Sequence, residues 1–221
     1  QSPGEAGNTV PVPDPAKAPA ARPAPFTLRR AVVIEQPNAP AASVHPAFPF
    51  AIDRAHPDYW PLLVANTWLG THRDSFGRLY EAIRQERGYN YGDYSYLEHW
   101  YGRTGSLFQT FCQPRRTQYF SIWLRPVQHE YAAHALKAAS WELERLVREG
   151  LTEERVAAAK IKARVIYLNL AETVDRLLGA RIEDRFLGSP RGFLDSYLES
   201  LGKVTTAEVN GALKRHLQPE G

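Results

Sequence analysis

Strand-like and helix-like patterns follow one another in blocks along this 221-residue chain. The spacing of its apolar residues predicts two strands, two helices, three strands and then about four helices. When strands and helices are segregated in this way, the usual result is an antiparallel sheet with helices packed on one face. We therefore predict an α+β fold.

The first two predicted strands are short and bounded by proline. One ends at Pro37 and has Val32–Ile34 as its apolar centre. The other runs from Ser43 to Ile52, and its internal prolines predict an irregular strand or a sheet edge, because proline cannot donate a ladder hydrogen bond.

Local capping signals predict where most helices begin and end. Asp58 is a candidate N-cap for a helix that Gly70 closes, and Thr152 is a candidate cap for a later one. The helical pattern after Thr152 is too long for one ordinary helix, which predicts a break near Ala171 to Thr173. The run from Thr205 to Glu208 has the form of a capping box.

Composition divides the chain into a linker and one domain. Residues 1–25 are rich in proline and alanine, show no periodicity and are predicted to be a disordered linker, whereas residues 26–221 are predicted to form a single α+β domain. The chain has no methionine, so we expect it to be processed or to be a piece of a longer protein. Its one cysteine, Cys112, allows no internal disulfide and is predicted to be buried.

The charge pattern and the hydropathy argue against a nucleic-acid partner and against a membrane-spanning helix. The net charge is only +3 with acids and bases interspersed, so it gives no electrostatic case for nucleic acid. No apolar run approaches the roughly 20 residues of a membrane-spanning helix.

The stretch from Gly77 to Tyr101 is predicted to run from a short helix directly into a strand. Gly88 ends the helix, and an aromatic-rich run typical of a strand follows it. Arg84 lies in the last helical turn and Tyr91 lies seven residues on, just inside the strand. We predict that this pair is where the chain meets its ligand. Two further runs, 106–113 and 118–126, would complete an antiparallel meander.

Three motifs in this order carry a family resemblance: GRLYEAIRQERGYNYGDYSY, then EGLTEERVAAAK, then VTTAEV. The chain from about Phe26 to Leu217 resembles the C-terminal domain of the pitrilysin/insulinase-like zinc metallopeptidases, a family that includes the mitochondrial processing peptidase. In the enzymes of that family a last strand follows the final helix. Here the chain ends soon after that helix, so we expect a domain that lacks this strand and has an open sheet edge.

The resemblance also implies roles for the paired side chains. In the family an N-terminal domain carries an H-x-x-E-H zinc motif, and the C-terminal domain contributes an arginine and a tyrosine to the substrate. By position these are Arg84 and Tyr91, which would be substrate-binding residues. A guanidinium can hydrogen-bond a peptide carbonyl, and a tyrosine hydroxyl can hydrogen-bond the oxyanion formed from it. Alternatively, Arg84 pairs with a glutamate such as Glu81 and Tyr91 packs in the sheet.

The chain itself offers no zinc motif. None of its seven histidines forms H-x-x-E-H or H-E-x-x-H, and His129 and His134 are five residues apart, which separates them by roughly 140° on a helix. We therefore predict no catalytic residue, no metal ligand and no cofactor in this chain. Zinc is expected on a catalytic domain or partner subunit of the same family.

Two main functions remain open. The first is the substrate-binding half of a zinc-dependent endopeptidase that acts on peptides or unfolded polypeptides, active only together with a zinc-bearing domain or subunit. The alternative is a catalytically inactive scaffold or peptide-binding relative of the same fold. A nucleic-acid-binding α+β domain is a distant third. The bacterial periplasm or cell envelope is the expected compartment.

Overall fold

The computed structural model describes residues 31–98, 118–189 and 191–217. The predicted linker at residues 1–25, the predicted strand at residues 106–113, Cys112 and the last four residues lie outside these ranges. The strands are β1 (Ala42–Val44), β2 (Ala47–Phe50), β3 (Asp93–Tyr96) and β4 (Gln118–Val127). The helices are α1 (Tyr59–Leu69), α2 (Ala132–Glu149), α3 (Glu153–Leu170), α4 (Val174–Leu187), α5 (Phe193–Lys203) and α6 (Thr206–His216). A π-helix (Tyr80–Gln85) precedes β3, and a 3₁₀ turn (His129–Tyr131) precedes α2.

All described sheet pairing is antiparallel and centres on β4. β1 and β2 pair with successive parts of β4, and β3 pairs with residues 121–124 of β4 along its other edge. Alternate residues of β4, such as Phe120 and Ile122, face the core, where α1 packs on β3 and α2 packs on β4. The α+β prediction, with helices on one face of an antiparallel sheet, is confirmed.

Two details of the strand prediction are wrong. Residues 31–37 form no strand, and the side chains of Val32–Ile34 are 69–87% exposed. Both edges of β4 are already occupied, so this apolar run has no ladder to join there. A meander would place another strand between β3 and β4, but β3 pairs with β4 directly, with Tyr94 opposite Trp123.

The helix boundaries follow local chemistry closely. The hydroxyl of Thr152 accepts a hydrogen bond from the amide of Arg155 at 3.3 Å, and Thr205 with Glu208 forms the predicted capping box. The predicted break falls between α3 and α4, where Thr173 caps the second helix. These predictions are confirmed. The sequence could make them because each depends on residues within one helical turn.

Asp58 precedes α1 as predicted but does not cap it. Its carboxylate instead accepts hydrogen bonds from Arg215, at 2.7 and 3.0 Å, and lies 2.7 Å from Nε2 of His216. Asp58 therefore joins the start of α1 to the end of α6. The hydrogen bond from Arg215 is the main cause that lowers the pKa of Asp58 to about 2.

Replacing Asp58 with asparagine is expected to lower the free energy of unfolding by about 1 kcal/mol at pH 7, a modest value because the Arg215 side chain is 55% exposed. Since the pKa is lower in the folded state, this stabilisation is present above pH 4 and is lost as the pH falls toward 2. Urea denaturation at pH 7 and pH 2.5 measures the difference. An equal loss at both pH values would contradict an ionic contact.

Candidate peptide-binding site

Arg84 is placed at the surface by an unusual helical turn. It lies within the π-helix Tyr80–Gln85, in which the amide of Glu86 donates to the carbonyl of Glu81 at 2.9 Å. Gly88 follows with φ of 66° and ends the turn, as predicted. Short π-helical segments widen a helix locally and frequently occur at functional sites. The sequence predicted an ordinary helix here, because the apolar spacing does not distinguish the two.

The guanidinium of Arg84 lies against Tyr91. Its Cζ atom is 4.2 Å from the centre of the Tyr91 ring and 4.9 Å from that of Tyr80. One of its N–H groups also donates to the backbone carbonyl of Tyr91 at 3.2 Å. Stacking and this hydrogen bond together fix the guanidinium between two aromatic rings and leave its other donors uncommitted within the described part of the chain.

The alternative arrangement of these residues does not occur. Glu81 is bound by Arg78, at 2.8 Å, rather than by Arg84. Tyr91 lies two residues before β3 and is 64% exposed, so it does not pack in the sheet. The structure therefore brings Arg84 and Tyr91 together at the surface. Their predicted role in binding substrate stays a prediction.

A buried carboxylic acid lies near enough to Arg84 for the two charges to interact. Asp93 is 0% exposed, Asn90 donates to its Oδ1 atom, and its Oδ2 atom has no partner among the described residues. Burial raises the pKa of Asp93 to about 7, although Asn90 and the nearby charge of Arg84 act to lower it. The sequence alone did not identify this residue as part of the site. The available signal was an acid among strand-forming aromatics, where aspartate is uncommon.

The face of the sheet that points away from the helices is aromatic and cationic. The ring of Trp123 lies 4.6 Å from that of Tyr96 and 5.2 Å from that of His45. The guanidinium of Arg125 covers the same indole at 4.4 Å. Tyr96 is buried in this cluster, whereas His45 and Arg125 are exposed, and a guanidinium plane can contact both apolar side chains and backbone carbonyls of a polypeptide.

One group of residues could be considered for a metal. His56, Asp58 and His216 place one potential ligand atom each within 4.8 Å of one another. However, Arg215 already binds both carboxylate oxygens of Asp58, and the Nδ1 atom of His56 accepts a hydrogen bond from the Asp58 amide. A guanidinium beside the carboxylate opposes a second cation there, so the group does not fit a zinc site. His129 and His134 lie apart, against the carbonyl of Ala39 and the ring of Tyr89.

The fold and the site define a domain of the metallopeptidase kind that carries an arginine–tyrosine pair and no zinc motif. A sequence model described as the peptidase M16 inactive domain matches residues 5–162. The chain belongs to this family, the pitrilysin-type metallopeptidases, and the resemblance seen in the sequence is confirmed. A comparison with curated protein sequences finds no match.

Several solved structures share the fold. The peptidase M16 inactive domain from Pseudomonas fluorescens is 22% identical with a TM-score of 0.62, over 80% of this chain and 38% of that one. The inactive peptidase domain of a proposed zinc protease from Bordetella parapertussis is 18% identical with a TM-score of 0.61, over 87% of this chain and 91% of that one. The periplasmic protease PqqL of Escherichia coli is 17% identical with a TM-score of 0.58, over 81% of this chain and 18% of that one.

The chain therefore spans well under half the length of the Pseudomonas structure and about a fifth of PqqL. These likenesses establish the fold alone. Within the described ranges, no helix combines the length and the apolar content needed to cross a bilayer.

Proposed function

We propose that this domain is the substrate-binding half of a zinc-dependent endopeptidase and supplies Arg84 and Tyr91 to a zinc site on another domain or chain. The observation that carries the proposal is the exposed contact between these two side chains, with the guanidinium 4.2 Å from the phenol ring. Peptides or unfolded polypeptides are the expected substrates.

The chemistry of the pair suits peptide hydrolysis. Arg84 keeps donors for a substrate carbonyl, and stacking on Tyr91 limits the motion of the guanidinium before substrate arrives. The hydroxyl of Tyr91 can donate to the oxyanion that forms when water attacks the peptide carbonyl. Zinc, bound on the other domain, would activate that water. One such hydrogen-bond donor is worth about 3 kcal/mol in the transition state.

Tyr91→Phe is expected to lower kcat by about 10²-fold with little change in KM, because the hydroxyl acts mainly on the oxyanion while the ring still supports Arg84. Arg84→Ala is expected to raise KM as well, since the guanidinium also binds the ground-state carbonyl. The measurement is steady-state cleavage of a fluorogenic peptide by the chain assembled with its zinc-bearing domain or subunit.

Arg87→Ala is the matched control, because Arg87 lies one turn on, is 38% exposed and contacts Glu86 and the carbonyl of Ala82. It should leave both constants within about twofold of wild type. If Arg84→Ala and Tyr91→Phe do the same, the pair has no role in cleavage. The catalytically inactive scaffold, which the description of the family's inactive domain favours, would then be the better account.

The exposed apolar surface of α3, α4 and α5 supports the proposal that a partner domain binds there. Several large apolar side chains there are more than 40% exposed, namely Ile161, Val165, Leu168, Val174, Leu177, Leu178, Ile182, Phe186 and Leu198. Apolar surface on this scale commonly marks an interface with another protein or domain. We propose a zinc-bearing domain or subunit of the same family as this partner, in the bacterial periplasm or cell envelope.

A further inference from the structure

A cavity of about 270 Å³ lies between α1, β3, α3 and α5. Neither Arg84 nor Tyr91 lines it, so it is separate from the arginine–tyrosine pair, although Tyr96 of the aromatic cluster forms part of its wall. Much of its wall is apolar and includes Leu63, Ile166 and Phe193. An apolar cavity of about 150 Å³ is enough to bind benzene. The present cavity is therefore large enough for a two-ring molecule.

Two residues of the wall each have a buried oxygen atom without a hydrogen-bond partner among the described residues. These atoms are Oδ1 of Asn66 and Oγ1 of Thr71. Asn66 is 8% exposed, and its Nδ2 atom donates to the carbonyl of Ser95 at 3.3 Å, which orients the amide and leaves Oδ1 without a donor. A buried polar atom without a partner costs about 1–3 kcal/mol. A ligand that donates a hydrogen bond to Oδ1 would recover this cost.

Except for Arg73, which is exposed and has no ion pair among the described residues, the charged side chains in the wall are already paired. Arg54 binds Glu98 and Glu183 at 2.7 and 2.8 Å, and Lys162 binds Asp74. A charged ligand would have to compete with these contacts, whereas a neutral one would not. Away from Arg73, the cavity therefore favours an uncharged molecule over an ionic one.

We propose that this cavity binds a neutral aromatic group that carries one N–H or O–H donor, and that Oδ1 of Asn66 accepts from that donor. Such a group could be a free small molecule or the tryptophan side chain of a bound polypeptide. Both offer the same chemistry to the cavity.

The test compares indole with benzofuran, which has nearly the same shape but an oxygen in place of the N–H group. Binding is followed by chemical-shift changes in ¹H–¹⁵N spectra of the whole chain. Indole is expected to bind about tenfold more tightly, because only indole can pair the buried oxygen. Equal affinities for the two probes would overturn the proposal. If neither probe causes chemical-shift changes at its solubility limit, the cavity holds water only, and the proposal is overturned as well.

Two tryptophan substitutions on α3 provide a matched pair. Val165 lines the cavity and is 46% exposed, so Val165→Trp can fill the entrance without disturbing the core. Leu168 is 66% exposed and is not part of the wall, so Leu168→Trp is the control. Indole binding should fall about tenfold or more in the first variant and stay unchanged in the second. Unchanged binding in Val165→Trp would show that the probe binds elsewhere and overturn the assignment.

A third probe separates the two sources of ligand. An acetylated and amidated Gly-Trp-Gly peptide that binds at least as tightly as indole, and loses binding in Val165→Trp, supports a polypeptide side chain as the ligand. A peptide that fails to bind while indole still does supports a free small molecule.

Discussion

Arg54→Met is expected to lower the free energy of unfolding by about 3–5 kcal/mol, because it leaves two buried carboxylates without their cation. Arg54 donates to both oxygens of Glu98, at 2.7 and 2.9 Å, and to Glu183 at 2.8 Å. The side chains of all three residues are about one-tenth exposed or less. Methionine keeps the length of the side chain but removes every hydrogen-bond donor.

The loss should depend on pH in a defined direction. Burial already raises the pKa of Glu183, and without Arg54 this carboxylate would take up a proton at a still higher pH. The variant should therefore lose most stability above pH 7 and approach wild type near pH 4. Denaturant titrations across this range measure the difference. Adding Glu98→Gln and Glu183→Gln should restore most of the stability at pH 7.

Arg148→Met is the control, because Arg148 is 64% exposed and contacts only Glu149 at the surface among the contacts described. It is expected to change the free energy of unfolding by less than about 1 kcal/mol. If Arg54→Met were as mild as this control, the buried ion pairs would contribute little to stability.

The sequence predicted those features that depend on neighbouring residues. The caps at Thr152 and Thr205 and the break between α3 and α4 each depend on contacts within a few positions. The proximity of Arg84 and Tyr91 belongs to the same group, since only a helix end and one glycine turn separate them. Such local geometry is fixed largely by local chemistry.

Features that depend on distant residues could not be predicted in this way. Arg54 lies 44 and 129 positions from its two partners, and Asp58 lies 157 positions from Arg215. Alternation of residue types every second position identifies a strand, but it does not identify the strand that pairs with it. The direct pairing of β3 with β4 was therefore missed. The apolar run at Val32–Ile34 likewise has strand character without a partner strand on β4.

Asp93 combines both situations, because its strand was predicted but its burial was not. The strand β3 buries all four of its residues, although only the aromatic ones gave it strand character. Burial of the acid follows from the way α1 and the sheet close over this strand.

Asp93→Asn is expected to be more stable than wild type, by an amount that increases as the pH rises from 4 to 7. The pKa of Asp93 is about 7 in the folded chain and about 3.9 when unfolded, so the folded state holds an extra proton between these values. Wild-type stability therefore falls as the pH increases from 4 to 7. Asparagine has no such proton to lose, and the variant should gain about 4 kcal/mol relative to wild type above pH 7, with no gain below pH 4.

Thermal or urea unfolding at pH 4, 6 and 8 measures this gain, and Asp175→Asn, at an exposed position in α4, should give a curve parallel to wild type. A pH-independent difference between Asp93→Asn and wild type would rule out a buried titrating acid.

The same substitution also tests the link to Arg84, whose charge acts on Asp93. If Asp93 ionises near pH 7, its new negative charge attracts Arg84 away from a peptide carbonyl. Peptide affinity should then weaken above pH 7 in wild type but not in Asp93→Asn.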